Sequence, residues 1–137
     1  MTDCVFCKII AGEIPSDKVY EDDFAVAFMD IAPANPGHTL IVPREHSDDF
    51  SVMPDGQSME RLFSATRRVA LAALKATGAG GFNTIINTGK DANQIVMHTH
   101  VHVIPRFPED GLKPWTKKDI PKEEIARIAA EMKKHLG

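Results

Sequence analysis

A chain of 137 residues is the size of one ordinary domain, long enough to bury a sizeable core. With 43% hydrophobic and 26% charged residues the composition excludes a disordered or membrane-embedded polypeptide. Sixteen Lys and Arg against nineteen Asp and Glu leave a net charge of −3, which excludes a global pull toward nucleic acid or acidic membranes, so any phosphate must be met by local donors.

Met1-Thr2-Asp3-Cys4 carries no basic stretch followed by an apolar run, and no segment approaches the ~20 apolar residues that span a bilayer. A cytoplasmic protein is expected, with neither membrane nor nucleic acid as partner. Cys4 and Cys7 are the only cysteines. In a reducing compartment C-x-x-C suggests a metal or redox pair, and nothing before Cys4 can supply the strand that a redox motif follows, which favours metal.

Val5–Ala11 reads as a short helical piece ending at Gly12 and Pro15. Lys18–Glu21 and Ala25–Asp30, separated by Asp22-Asp23, read as a hairpin. Pro33, Pro36 and Gly37 make a loop, and Thr39–Val42 a short apolar strand stopped by Pro43. The clearest helix runs from about Ser58 to Ala76, with Met59, Leu62, Phe63, Thr66, Ala70, Ala73 and Leu74 on one face, and ends at Gly78, Gly80 and Gly81. Gly81–Asn87 and Val96–Ile104 read as two more strands joined by the polar loop Thr88–Asn93. Beyond Pro105 the chain is irregular until a last amphipathic helix near Pro121. Ile125, Ile128, Ala129 and Met132 share one side of it, and Lys133, Lys134 and His135 sit in its final turn, where the helix dipole favours cations. Hairpin-linked strands with one long helix predict an α+β domain on an antiparallel sheet.

The dominant chemical signal is His98-Thr99-His100-Val101-His102-Val103-Ile104. In a strand the three imidazoles project to one face, while Thr99, Val101 and Val103 form the core side. Three readings compete: satisfied core histidines, a three-histidine metal centre, or a row that lines an elongated ligand. Same-face neighbours on a strand stand about 6.6 Å apart and the outer pair about 13 Å, so one ion with bonds of about 2.0–2.1 Å spans at most an adjacent pair. The row better suits a phosphate chain. A neutral imidazole also makes a sound nucleophile toward phosphorus, because it escapes the repulsion that a carboxylate meets from phosphate oxygens.

The triad, together with Tyr20-Glu21-Asp22-Asp23, Ala27-Phe28-Met29-Asp30-Ile31, Pro36-Gly37-His38-Thr39-Leu40-Ile41-Val42-Pro43 and Ile104-Pro105-Arg106, resembles the motifs of the histidine triad (HIT) family of nucleotide hydrolases and transferases. The resemblance covers roughly residues 4–107. Within a single domain of 1–137 it leaves 108–137 as a variable C-terminal segment with a terminal helix. It implies a roughly five-stranded antiparallel sheet with one long helix, and a homodimer that extends the sheet through Ser58–Ala76 and Gly81–Asn87.

The resemblance also implies roles. His100 matches the nucleophile, His102 the histidine that contacts phosphate and leaving group, and His38 the histidine beside the triad. Asp30 matches the acid that holds the ribose hydroxyls. Asn87 and Gln94 match polar side chains near the phosphates, and Phe6, Ile9, Ile14, Phe28 and Leu40 the apolar pocket around the base. Cys4, Cys7, His46 and His98 match the ligands of a structural zinc site, one per chain, with no catalytic cofactor. The implied reaction is cleavage of nucleoside phosphoramidates, or related nucleoside monophosphate esters and anhydrides, at the α-phosphorus through a nucleotidyl-histidine. The alternatives are a dinucleoside polyphosphate hydrolase, a non-catalytic nucleotide-binding protein, or a zinc-dependent hydrolase using the triad directly. Two positions depart from the pattern: Ile95 stands where a small hydroxyl residue is common, and Asn93 where glycine is.

Overall fold

The computed structural model describes residues 3–136; Met1, Thr2 and Gly137, the extremes of the expected 1–137 domain, lie outside the described residues. In chain order the elements are α1 (Val5–Ile10), β1 (Lys18–Glu21), β2 (Ala25–Met29), β3 (Thr39–Pro43), α2 (Gln57–Thr77), β4 (Gly81–Ile85), β5 (Val101–Arg106) and α3 (Lys122–Leu136). The five strands form one antiparallel sheet in the order β1-β2-β3-β5-β4, as expected of an α+β domain.

The central strands read as continuous apolar runs because both their faces are covered. Ala25, Ala27, Ile41, Val101 and Val103 pack against Leu62, Ala65, Val69 and Ala70 of α2. The alternate residues Val26, Phe28, Leu40 and Val42 meet Phe6 and Ile9 of α1 on the other face. Thick cover by α2 makes one side the structural core. The thinner cover by α1 leaves room on the other side for a cleft. The hairpin turn is held by Asp22, whose Oδ1 accepts from Phe24 N–H at 2.7 Å and Ala25 N–H at 2.8 Å.

Several boundaries move. β3 includes Pro43, which lies opposite Ala25. β4 ends at Ile85, two residues short of Asn87, and β5 begins at Val101 and not at Val96. On α2 the buried stripe is Leu62, Ala65, Thr66, Val69, Ala70 and Ala73, while Phe63 faces outward at 42% exposure. α3 forms as expected, yet none of its residues is buried, and Ile125, Ile128 and Met132 stand in solvent. Among the described residues no helix is long and apolar enough to cross a membrane.

Candidate active site

The histidine row is delivered by a bent segment that becomes a strand only at its end. Thr99 N–H donates to the Ser47 carbonyl at 2.9 Å, and His98 N–H turns back to Val96 at 2.9 Å, so neither joins the ladder. From Val101 onward the chain pairs with β3, placing His102 opposite Leu40 and Val101 opposite Ile41. The alternation of faces survives the bend. Phe6 of α1 packs edge-on against both His98 and His100, at centroid distances of 5.9 and 5.1 Å, and His102 likewise meets His100 edge-on at 5.0 Å.

Hydrogen-bond partners fix where each ring carries its proton. The Nδ1 of His100 lies 2.7 Å from the His98 carbonyl, which only accepts, so Nδ1 bears the hydrogen and Nε2 the lone pair. Ala34 N–H donates to His38 Nδ1 at 2.9 Å, so the His38 proton sits on Nε2, which donates in turn to His102 Nδ1 at 2.9 Å. His102 therefore carries its own proton on Nε2. The Asp30 carboxylate lies 3.4 Å from His38 Nε2, with its other oxygen accepting from Ala32 N–H at 2.9 Å.

Burial keeps these rings neutral. It lowers the pKa of His38 against the opposing pull of Asp30. It lowers His100 despite the hydrogen bond to the His98 carbonyl. His102 is brought down to about 4, by burial first and then by proximity to His100 and His38.

His38, His100 and His102 share a cavity of about 630 Å³ with Asp30, Asn87 and the apolar set Phe6, Ile9, Ile14, Phe28 and Leu40. The ten residues expected at one end or the other of a nucleotide are thus gathered around one space. Gln94 is the exception. Its Oε1 accepts from Gly89 N–H at 2.8 Å and its Nε2 donates to the Asp48 and Val96 carbonyls at 2.8 and 3.0 Å, so its amide is committed to bracing the loop. Asn93 and Ile95 do line the cavity, Ile95 at 88% exposure. Sequence reasoning missed the Ala34 N–H, since a backbone donor leaves no mark on residue identity; the short loop before His38 was the available signal.

Cys4, Cys7, His46 and His98 form a second cluster whose ligand atoms lie within 4.8 Å of one another and could hold a metal ion. His46 Nε2 donates to Asp48 at 2.8 Å and His98 Nε2 to the Pro43 carbonyl at 2.9 Å, which turns both Nδ1 lone pairs inward, 3.1 Å apart. Two facing lone pairs repel unless positive charge lies between them. The Sγ–Nδ1 distances of 3.3, 3.5 and 3.6 Å complete the set. A tetrahedral zinc ion would give N–N edges of about 3.3 Å and N–S edges of about 3.6 Å. Asp30, His38 and His102 also lie close enough to be considered for a metal. There the chemistry does not fit: ligation through His38 Nε2 would move the ring proton to Nδ1, against the Ala34 N–H.

Residues 11–109 match the HIT domain family model. The crystal structure of SMU.412c from Streptococcus mutans superposes with a TM-score of 0.92 at 40% identity, covering 100% of this chain and 87% of that one. The adenosine 5'-monophosphoramidase hnt1 of Schizosaccharomyces pombe is 37% identical over 131 residues, 94% of this chain and 95% of that protein. The adenylylsulfatase HINT3 of Arabidopsis thaliana is 36% identical over 140 residues, 98% of this chain and 70% of that protein.

Proposed function

The chain belongs to the HIT domain family, and we propose that it is a cytoplasmic hydrolase of nucleoside phosphoramidates and related nucleoside monophosphate esters and anhydrides. The observation that carries the reading is the tautomer of His100: a neutral ring, its proton tied to the His98 carbonyl, with a lone pair free on Nε2 beside a nucleotide-sized cavity. That relatives include an adenosine 5'-monophosphoramidase and an adenylylsulfatase supports the same reaction class.

In this mechanism the His100 Nε2 lone pair forms a bond to the α-phosphorus while the bond to the leaving group breaks, its electron pair departing with that group. The imidazolium that results keeps its Nδ1 proton on the His98 carbonyl, which stabilises the positive charge. His102 presents its Nε2–H to the phosphate and leaving-group oxygens, and an amine leaving group takes its proton from solvent or from His102. Water then attacks phosphorus, and the bond from phosphorus to His100 Nε2 breaks with its electron pair returning to the ring. The proton shed by the water goes to solvent or back to a His102 that gave one up, nucleoside monophosphate leaves, and His100 returns neutral. Asp30 holds the ribose hydroxyls, Asn87 lies by the phosphates, and Phe6, Ile9, Ile14, Phe28 and Leu40 enclose the base.

Zinc is proposed for the Cys4, Cys7, His46 and His98 cluster, supported by the tetrahedral spacing and by the acceptors behind both imidazoles. Four protein ligands leave no open position, so the ion would supply rigidity and no chemistry. His98 is absent from the cavity lining, which opposes a zinc-dependent hydrolase using the triad directly. A homodimer extending the sheet is supported by β4, an edge strand, and by Phe63 and Leu71, which stand exposed on the outer face of α2. Sedimentation as a monomer at micromolar concentration would remove the dimer and leave the chemistry standing.

The test is chemical quenching during turnover, with adenosine phosphoramidate, guanosine analogues, diadenosine polyphosphates and nucleotide sugars compared under one set of conditions. A nucleotidyl mass on the His100 peptide is expected, together with a loss of at least about 10³-fold in kcat for His100→Ala at nearly unchanged nucleotide affinity. An adduct on His98 or His102 overturns the assignment.

A further inference from the structure

The loop between Asp30 and His38 carries the N–H that sets the His38 tautomer, yet most of it lies on the surface. Ile31, Ala32, Pro33, Ala34 and Pro36 are exposed. Among the described residues, the one side chain of this loop that hydrogen-bonds to another part of the fold is Asn35. Its Nδ2 donates to the Pro105 carbonyl at the end of β5 and to Asp110 Oδ2, both at 2.9 Å. Both partners only accept, which fixes the orientation of the amide. The Asn35 carbonyl meanwhile accepts from His38 N–H at 3.1 Å. The seat beneath is tight: Gly37 has φ +88, and a Cβ there would come within 2.9 Å of Thr77 and 3.0 Å of Pro105.

Asp110 is built to receive. Its side chain is only 7% exposed. It accepts from Arg106 Nε at 2.7 Å and Nη2 at 3.0 Å, and from the Phe107 and Leu112 N–H groups at 3.1 Å each, in addition to Asn35. The Arg106 guanidinium, with these other donors, holds its carboxyl far below the ordinary carboxylate range, so it stays charged at any pH where the histidines act. Arg106 is itself braced by Asn83 Oδ1 of β4 at 2.7 Å. A residue just past the family match, which ends at 109, thus grips the loop that precedes a histidine of the site.

We propose that Asn35 and Asp110 are positioning residues for His38 and His102. Their contact pins the loop to the end of β5 and keeps the Ala34 N–H on His38 Nδ1. That donor places one proton on His38 Nε2 and, through it, the other on His102 Nε2, where it faces substrate. Released from the clamp, His38 is free to carry its proton on Nδ1. His102 then turns an acceptor toward the cavity in place of a donor. The consequence for turnover rests on the role given to His102 under the proposed function; the tautomers themselves are a property of the free protein.

The experiment follows the imidazole nitrogens of His38 and His102 by ¹⁵N NMR at pH 8 without substrate, and kcat and KM separately with adenosine phosphoramidate. Wild type should show single tautomers, protonated on Nε2. Asn35→Ala should average them between the two forms and lower kcat by about 10–100-fold, the scale of a misaligned catalytic group, with KM within about twofold. Asn35→Asp keeps the size but sets an acceptor against Asp110 and Pro105, and should lose at least as much. Asp110→Ala should add little to Asn35→Ala if the two form one device. Retained single tautomers in Asn35→Ala, or a kcat within twofold of wild type alongside averaged ones, overturn the proposal. A wild type inactive on every substrate would instead overturn the proposed function, and the tautomer result would remain readable.

Discussion

The two histidine clusters use the same side chains to opposite ends. In the cluster of Cys4, Cys7, His46 and His98, each imidazole has an acceptor behind it, the Asp48 carboxylate or the Pro43 carbonyl, so the lone pairs converge inward. In the cluster of Asp30, His38 and His102, the partner behind His38 is the Ala34 N–H, a donor, so a proton and not a lone pair points forward. The first arrangement wants a cation and the second passes a hydrogen bond toward substrate. Residue type alone makes both look like metal sites. What separates them is the polarity of the group one step back from each ring.

Removing a ligand from the first cluster is the harshest test of that contrast. Wild type should carry about one zinc per chain by elemental analysis, and Cys7→Ser should release most of it and lower the melting temperature by many degrees. Residual hydrolysis should persist in whatever fraction remains folded. Asp48→Ala is milder and should weaken metal binding by about 10–100-fold, as expected for loss of an orienting acceptor. Gently purified wild type without bound metal would break the comparison at its first term.

Acid should act on the second cluster. The pKa of His102 is about 4, against about 6.5 for a free histidine, and that of His38 is also lowered. Between those values the unfolded chain binds protons that the folded chain refuses, so stability is greatest above about pH 6.5 and declines as pH falls toward 4. For the same reason kcat/KM should stay level from pH 8 through 6 and fall only below that. Denaturant midpoints and kcat/KM profiles over this range check both. A kcat/KM midpoint at 6.5 would mean that the relay is more hydrated than its burial indicates.

What the sequence disclosed, and what it hid, follows the same division. The period-two pattern at 98–104 correctly placed His98, His100 and His102 on one side and Val101 and Val103 on the other, although the strand starts only at Val101. Facing is a local property of an extended chain and survives the loss of ladder partners. The Cys4 and Cys7 pair was legible from its spacing, while His46 and His98 came from the resemblance, and the fold brings all four together. The outer face of α2 was less so: Phe63 looked like core, but the stripe that meets the sheet runs through Ala65 and Val69 instead. Gln94 had the right chemistry for phosphate and is used on backbone carbonyls. The Asp110 clamp left no trace, since it forms across 75 residues of sequence, and the Ala34 N–H, being backbone, left only the short loop before His38 as a signal.

The smallest effect expected is on substrate choice, and it concerns a position on the exposed rim of the cavity that holds His100 and His102. Ile95 lines the cavity beside Asn87 and Asn93 but is 88% exposed. In HIT relatives of the pattern described above a hydroxyl residue is common there. A departing polyphosphate develops negative charge and depends on every donor in reach, whereas an amine leaves neutral once protonated. Asn87 is short and Ile95 offers no side-chain donor, so adenosine phosphoramidates should have a higher kcat/KM than diadenosine polyphosphates. A buried oxyanion donor is worth about 10²–10³ in kcat. One at so exposed a site competes with water and is worth less, nearer tenfold. Ile95→Ser should therefore narrow the preference by about tenfold, through a gain on the polyphosphate and not a loss on the phosphoramidate. Measuring both substrates on both proteins decides it. A wild-type preference for the dinucleotides would show that donors elsewhere in the cavity, and not positions 87 and 95, set the choice of leaving group.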